Sequence, residues 1–455
     1  MHVLPSALTF GRMKAVTAVA VVWMTALGAA IAQSRTAFPG TLEQHPAIDY
    51  RGGALSDVVT VLARDIKAGT TSLAFDGRHG YLGSVLERLH VPVESQLLLF
   101  SKTGIQNAHT SPENPRALYF NDRVIVGYIP GAPFLEIASH DPRQGVIFQT
   151  LKQDSWLPGE FARPDRCLSC HLSANSLDVP GVLVRSMFAA GDGRAMPQLG
   201  SFLIDHRSPL EQRWGGWYVT GTHGGARHLG NAFVTDSAMP AAAITAATLN
   251  RPTLDPRVDV TAYPTATSDI AALLVFDHQG RAINLLTRLG WETRIAAAEG
   301  RLDFSKGDLN EVLQQTVDYL LFLDEAPLTA PVRGVSSFAT KFGASGPQDR
   351  QRRSLRELDL QTRLFKYRCS YMIYSPAFDA LPAAARLEVF ARMRERITDR
   401  DTMAILDETK AAWALTGPTR GIVPDHATLR SAVLALSVCV DHGRRRALRC
   451  VHLGG

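Results

Sequence analysis

The spacing of apolar residues changes from helical to strand-like and back to helical along the chain. Over residues 55–66 and 81–89, apolar side chains recur every three or four positions, which predicts two helices that each bury one face. Asn121 and Asp122 separate two of the later apolar runs and predict a tight hairpin turn. These runs predict five short strands, at residues 96–100, 117–120, 123–129, 134–137 and 145–151. The pattern indicates a small antiparallel sheet region early in the chain.

Helical spacing returns in the second half. Apolar stripes predict helices at residues 270–294, 309–323, 355–365, 382–397, 402–413 and 426–439. Gly280 and Gly290 are possible breaks in the first of these helices. Residues 326–352 lack a regular period and predict a long loop. The expected fold class is therefore α+β, mainly α, with a helical C-terminal region.

Composition places the chain among ordinary globular proteins. Of its 455 residues, 45% are hydrophobic and 20% are charged. The formal net charge of +5 is a mild excess for so large a surface, and Arg12 and Lys14 supply part of it near the N-terminus. We therefore expect no nucleic acid partner.

The first 32 residues have the pattern of an export signal. Arg12 and Lys14 precede an uncharged, mostly apolar run over residues 15–32, which ends in the small-x-small sequence Ala30-Ile31-Ala32. This predicts a mature start near Gln33 and a periplasmic or otherwise exported protein. An uncleaved N-terminal anchor is the alternative. No later apolar run predicts a membrane span in the mature chain, because each is interrupted by Asp, Arg or Gly.

One short stretch carries a specific chemical signal, Cys167-Leu168-Ser169-Cys170-His171. Two cysteines three residues apart share one face of a helical turn, and the histidine follows at once, as in the signature of c-type haem attachment. A zinc ribbon would need a second close cysteine pair, and the chain has none. A thioredoxin-like pair would follow an apolar strand, whereas residues 157–165 predict a loop.

Through Cys167, Cys170 and His171, the sequence resembles the c-type cytochromes. In outline it is also similar to exported bacterial proteins with a cytochrome c domain. The resemblance implies one covalently attached haem c, tethered by the two cysteines and ligated by His171. It also implies attachment outside the inner membrane, in agreement with the export signal. The predicted organisation is a signal peptide (1–32), an N-terminal α+β region (33–155), a monohaem cytochrome c-like segment (156–235) and a helical C-terminal region (236–455).

The ligand on the other face of the haem stays open at the sequence level. Met196 is followed by Pro197, as the axial methionine often is in small c-type cytochromes, but it comes only 25 residues after His171. His278 falls on an apolar helical stripe, where a histidine is usually a hydrogen-bonded core residue. An open position is a further possibility. The imidazole candidates are His206, His223, His228 and His278.

These alternatives decide the predicted function. With two protein ligands the iron would serve one-electron transfer to a redox partner protein, which is the leading hypothesis. With an open distal face the protein would be a haem-dependent peroxidase or oxidase, with Arg213, His223 and Arg227 as acid–base and charge-stabilising groups. A non-catalytic haem sensor is the third hypothesis. Whether the chain is an enzyme, and its oligomeric state, are left open.

Three cysteines lie outside the motif. Cys369 is in an aromatic-rich run and predicts a buried small hydrophobe. Cys439 and Cys450 would close a short loop as a disulfide in an oxidising compartment, or stay as free thiols. With His442 and His452 they also form a weak zinc pattern.

Overall fold

A computed structural model describes residues 40–156, 159–234 and 250–414. The predicted signal peptide, the predicted helix at 426–439, and Cys439 and Cys450 lie outside these residues.

Within the described residues, seven strands form one antiparallel sheet in the order β6-β5-β4-β3-β2-β1-β9, and β7 and β8 form a separate antiparallel pair. The strands are β1 (Leu97–Leu99), β2 (Arg116–Phe120), β3 (Val124–Tyr128), β4 (Phe134–Asp141), β5 (Gly145–Lys152), β6 (Phe161–Ala162), β7 (Arg185–Met187), β8 (Ser201–Leu203) and β9 (Trp217–Tyr218). The longest ladder joins β4 to β5, and the Asn121–Asp122 turn joins β2 to β3 as predicted.

The helices in the described residues are α1 (Val58–Lys67), α2 (Leu82–Arg88), α3 (Leu168–His171), α4 (Ile270–Ala298), α5 (Gly307–Leu320), α6 (Phe338–Ala344), α7 (Pro376–Asp379), α8 (Ala383–Arg396), α9 (Arg400–Thr409) and α10 (Ala411–Ala414). Side chains that alternate along the strands point to opposite faces of the sheet. One face packs on α1 and α2, and the other packs on α4 and the helices around it.

Helix α4 is enclosed on nearly all sides. Of its 29 residues, 24 are buried, and they include polar side chains as well as apolar ones. A helix that is buried all round has no single apolar stripe, which identifies α4 as the centre of the core rather than a surface element. Asp269 caps its N-terminus and accepts a hydrogen bond from the Ala271 amide at 2.8 Å.

The predicted fold class is wrong in its proportions and in its middle segment. The sheet is large and central rather than a small N-terminal feature, and residues 156–235 do not form a small helical cytochrome c-like fold. Instead, β6 and β9 from this segment extend the main sheet at its two opposite edges. The segment's only described α-helix is the single turn α3. One hydrophobic core joins residues from all three predicted regions of the mature chain.

Two local predictions in the second half also fail, for identifiable reasons. Gly280 does not break α4, which continues through it. The glycine is needed for packing instead: Val182 and Val184 approach the helix here, and an added Cβ would lie 3.1–3.2 Å from their side chains. The predicted helix at 355–365 is an irregular turn. There, Asp359 accepts hydrogen bonds from the amides of Thr362 and Arg363, and this competes with helix formation.

Within the described part of the chain, no helix has both the length and the apolar character needed to cross a bilayer.

The cap of α4 yields a test of the fold. Besides Ala271, the buried Asp269 carboxylate accepts hydrogen bonds from the amides of Val335 and Ser336, at 2.9 and 2.7 Å. Asp269→Ala should lower the free energy of unfolding by roughly 3 kcal/mol, because a cap is lost and two amides are left without partners. Urea denaturation measures this, with the exposed cap Asp259→Ala as control, for which we expect a loss of about 1 kcal/mol or less. Equal losses in the two variants would contradict this role of Asp269.

Candidate functional site

The cysteine motif forms one helical turn beside β6. A 3-10 turn (Asp165–Cys167) leads into α3, so Cys167 and Cys170 are one turn apart. Cys167 is partly buried and packs against the main core, whereas Cys170 is exposed. Both are free thiols. The two thiols thus lie one helical turn apart at the surface of the protein.

His171 is held by a reciprocal pair of hydrogen bonds with Gly181. Its Nδ1 lies 2.9 Å from the Gly181 carbonyl oxygen, and the Gly181 amide donates to the His171 carbonyl at 2.9 Å. The Phe148 ring packs on the imidazole, with 4.6 Å between centroids. With Nδ1–H donating to a carbonyl, Nε2 carries the lone pair. This tautomer is the one that a metal ligand requires.

Helix α4 supports this histidine from behind. The Asn284 side chain accepts from the Val182 amide and donates to the Val182 carbonyl, both at 2.8 Å. Gly181 packs so closely that an added Cβ would lie 2.4 Å from Asn284 Oδ1. The chain of contacts from Asn284 through Gly181 therefore fixes the orientation of His171.

An ion pair on the sheet influences the pKa values of Cys167 and His171. Arg116 and Glu136, on β2 and β4, lie 3.0 Å apart. Burial raises the pKa of the Cys167 thiol, and Glu136 raises it further. Burial lowers the pKa of His171; the Gly181 carbonyl opposes this shift and Arg116 adds to it. Both residues are therefore favoured in their neutral forms.

Met196 lies beside the β7–β8 pair. Met196 is buried, and its amide donates to the Phe188 carbonyl at 2.8 Å, at the end of the β7–β8 pair remote from Gly181. The Met196 carbonyl accepts a hydrogen bond from the Leu199 amide at 3.1 Å.

His206 and His278 contact each other inside the core. Their Nδ1 atoms lie 2.8 Å apart, and His278 Nε2 lies 2.7 Å from Ser370 Oγ. The Tyr319 ring packs on His206 and the Phe322 ring packs on His278. Burial lowers the pKa of His206 well below its usual range and that of His278 to about 3. The prediction that His278 is a hydrogen-bonded core residue is confirmed.

His223 and His228 form a second buried pair, with 4.6 Å between ring centroids. His223 Nδ1 lies 2.8 Å from the Ala226 carbonyl oxygen, and His228 Nδ1 accepts a hydrogen bond from the Gly230 amide at 3.0 Å. Burial, reinforced by His223, lowers the pKa of His228 to about 3. This segment follows β9, at the edge of the sheet opposite β6.

Arg213, predicted as a possible distal cation, is buried and already paired. Its guanidinium donates to Asp277 at 3.2 Å and to the carbonyls of His206 and Ser208. Asp277, on α4, therefore has its partner in a distant segment of the chain.

The sequence pattern predicts a site at Cys167, Cys170 and His171 but does not point to Gly181 and Asn284, which position His171. The dipeptide Pro180-Gly181 is a turn signal that points to a bend after the motif. No sequence signal marks Asn284, because it lies 102 residues from its partner Val182.

The described residues contain no group of three or more His, Cys, Asp or Glu that could hold a metal ion on side chains alone. No protein family matches the chain, and searches of curated proteins and of solved structures likewise find no match.

The close packing of Gly181 yields a test of the His171 support. Gly181→Ala should lower the free energy of unfolding by roughly 1–3 kcal/mol and loosen the Nδ1 hydrogen bond, because the new methyl group displaces Asn284. Urea denaturation and the imidazole ¹⁵N signals of His171 measure the two effects. Gly191→Ala is the matched control, since nothing lies within 4 Å of an added Cβ there. If both variants behave alike, Gly181 does not support His171.

The buried neutral histidines predict a loss of stability in acid. Burial lowers the pKa of His278 to about 3 and that of His140 to about 4. Below about pH 6.5 the unfolded chain therefore binds more protons than the folded protein does. Stability is fully present above that pH and falls between pH 6.5 and 3, by up to about 1.4 kcal/mol per pH unit for each histidine. Urea denaturation across this range measures the slope.

In the same measurement, His278→Gln should reduce the slope by about one histidine's share. His109→Gln, at an exposed histidine, should leave it unchanged. An unchanged slope in His278→Gln would show that His278 does not contribute to acid unfolding.

Proposed function

We propose that this chain carries one haem c, attached through Cys167 and Cys170 and ligated by His171, and that it acts in one-electron transfer in an exported compartment. The observation that supports this most is the state of His171. Its imidazole is fixed through Nδ1 by the Gly181 carbonyl, and this leaves Nε2 with the lone pair. A metal-ligating histidine is commonly held in this way, with its other ring nitrogen donating to a backbone carbonyl.

The residues present fit the group. Two free thiols one helical turn apart suit two thioether bonds, and Phe148 supports the imidazole from the sheet. Bound there, haem c would supply a one-electron iron couple. The protein itself would hold the His171 ring in one orientation through the Gly181 carbonyl. This would limit the movement of the ring when the iron gains or loses an electron.

Disulfide exchange is the main competing function for a CxxC pair, and the electrostatics oppose it. A reactive thiol needs a lowered pKa, which neighbouring cations or a helix N-terminus provide. Here burial and Glu136 raise the pKa of Cys167. A thiol that stays protonated attacks disulfides slowly, so permanent use of the sulfur in a thioether is the better supported role.

One of the three groups named for the peroxidase hypothesis is already engaged. The Arg213 guanidinium is taken up by Asp277 and two main-chain carbonyls. Electron transfer is favoured instead by the exposure of Ser169 and Cys170, which leaves this edge of the site open to a redox partner protein. Met196 is not part of the proposal, because none of its main-chain hydrogen bonds in the described residues connects it to the cysteine motif.

Expression in a bacterial host that attaches c-type haem tests the proposal. The wild-type chain should keep haem through denaturing electrophoresis, and a Cys167→Ser, Cys170→Ser double variant should lose it, because no thioether can form. Cys369→Ala is the matched control, since this thiol is buried in the core away from the motif. Loss of haem in the control, or a haem-free wild type, would contradict attachment at the motif.

Absorption spectra of the loaded protein separate electron transfer from ligand chemistry. Spectra should be recorded oxidised, reduced, and reduced under carbon monoxide. We expect a low-spin spectrum that carbon monoxide does not change. A high-spin spectrum that shifts with carbon monoxide would overturn the electron-transfer assignment while leaving haem attachment in place.

A further inference from the structure

A cavity of about 820 Å³ is lined by residues of α1 on one side and of α4 and α6 on the other, and none of the motif residues lines it. It opens between α1, the loop after α2, the β2–β3 turn and α6. Its volume is in the range of small-molecule binding sites. None of the residues that carry the proposed haem site lines it, so this cavity can be considered independently of the proposed function.

The inner wall of the cavity is apolar. Phe120 is buried at the end of β2, and Phe338 and Phe342 stack on each other in α6, with 5.4 Å between ring centroids. Val58 and Leu62 close the opposite side from α1. A wall with three aromatic rings suits the apolar body of an organic ligand.

Most of the acidic groups at the cavity are already neutralised. Glu94 pairs with Lys341, and Asp122 pairs with Arg356, whose guanidinium also lies 4.8 Å from the centre of the Phe342 ring. Of the lining acids, this leaves Asp65 without an ion pair in the described residues.

The remaining charges on the rim are basic. The side chains of Arg88 and Arg123 line the opening, are exposed, and form no hydrogen bond or ion pair within the described residues. His90 lies on the same rim. The opening is thus lined by two unpaired guanidinium groups and one imidazole, against one free carboxylate, that of Asp65. This excess of basic groups favours an anionic ligand.

The backbone conformation of His90 is a second unusual feature of this rim. His90 has φ 52 and occupies the position after α2 where the chain reverses into the left-handed region. Its amide bonds to the Glu87 carbonyl, and the next amide, of Val91, bonds to the Leu86 carbonyl. This is the hydrogen-bonding pattern of a helix end that normally uses glycine. A histidine there costs stability, and in exchange it adds a polar ring to the rim of the cavity.

We propose that this cavity binds a small organic anion, a carboxylate or sulfonate with an aromatic or aliphatic body. The apolar part contacts Phe120, Phe338 and Phe342, and the acidic group meets Arg88, His90 and Arg123 at the opening.

Two matched fluorescent probes test the class of ligand. 1-Anilinonaphthalene-8-sulfonate carries the anion, and N-phenyl-1-naphthylamine has the same aromatic body without it. We expect the sulfonate to bind the full chain about tenfold more tightly, since one charge-assisted contact is worth about that factor. Val61→Trp, at an exposed lining residue, should weaken both probes by filling the opening. Equal affinity for the two probes, or no effect of Val61→Trp, would overturn the proposal.

Two further variants locate the anion. Arg123→Ala should weaken the sulfonate about tenfold and leave the uncharged probe unchanged, whereas Arg194→Ala, an exposed arginine outside the cavity, should change neither. His90→Gly should raise the midpoint of thermal unfolding, because glycine suits the left-handed backbone, and yet weaken the sulfonate. If Arg123→Ala behaves like Arg194→Ala, or His90→Gly leaves sulfonate binding intact, the anion does not bind at this rim.

Discussion

The structure depends on the burial of one long helix together with its polar side chains. Helix α4 is enclosed by the sheet and by the surrounding helices, so each polar group on it needs a partner inside the protein. Asp277 binds Arg213 and Trp214, and Asn284 binds the main chain at Val182. These partners come from segments far apart in the sequence. The helix therefore fixes where those segments pack, and removing one partner would leave a buried polar group unpaired.

The candidate site depends on the same constraint. Asn284 holds Val182, the neighbouring Gly181 holds the His171 imidazole, and His171 ends the turn that carries both motif cysteines. The site is thus supported by the most deeply buried element of the fold, although Cys170 lies at the surface. A histidine oriented in this way is preorganised, because its tautomer and ring direction are set before any ligand binds.

The sequence predicted those features that depend on neighbours along the chain. The periodic helices α1, α5 and α8 and the hairpin at Asn121 are confirmed, because apolar period and turn residues act locally. The cysteine motif could be recognised for the same reason, since its chemistry needs a fixed local spacing. Strand β9 could not be predicted, because a two-residue strand has no period and its pairing depends on β1 more than 100 residues away. The five central strands, β1 to β5, are confirmed, but the extension of the sheet by β6 and β9 was missed for that reason.

The misleading histidines show a limit of sequence analysis that has a physical cause. A polar side chain in an apolar segment signals burial with a partner, but a cofactor and another part of the chain are equally good partners by this criterion. The partners of the ring nitrogens differ from one histidine to another. His278 has both nitrogens engaged, by His206 and Ser370, and His171 has Nδ1 engaged by the Gly181 carbonyl. His206 also has one engaged nitrogen, and its buried Nε2 has no partner in the described residues. This distinction depends on which segments meet in three dimensions, and so it belongs to the fold rather than to the local pattern.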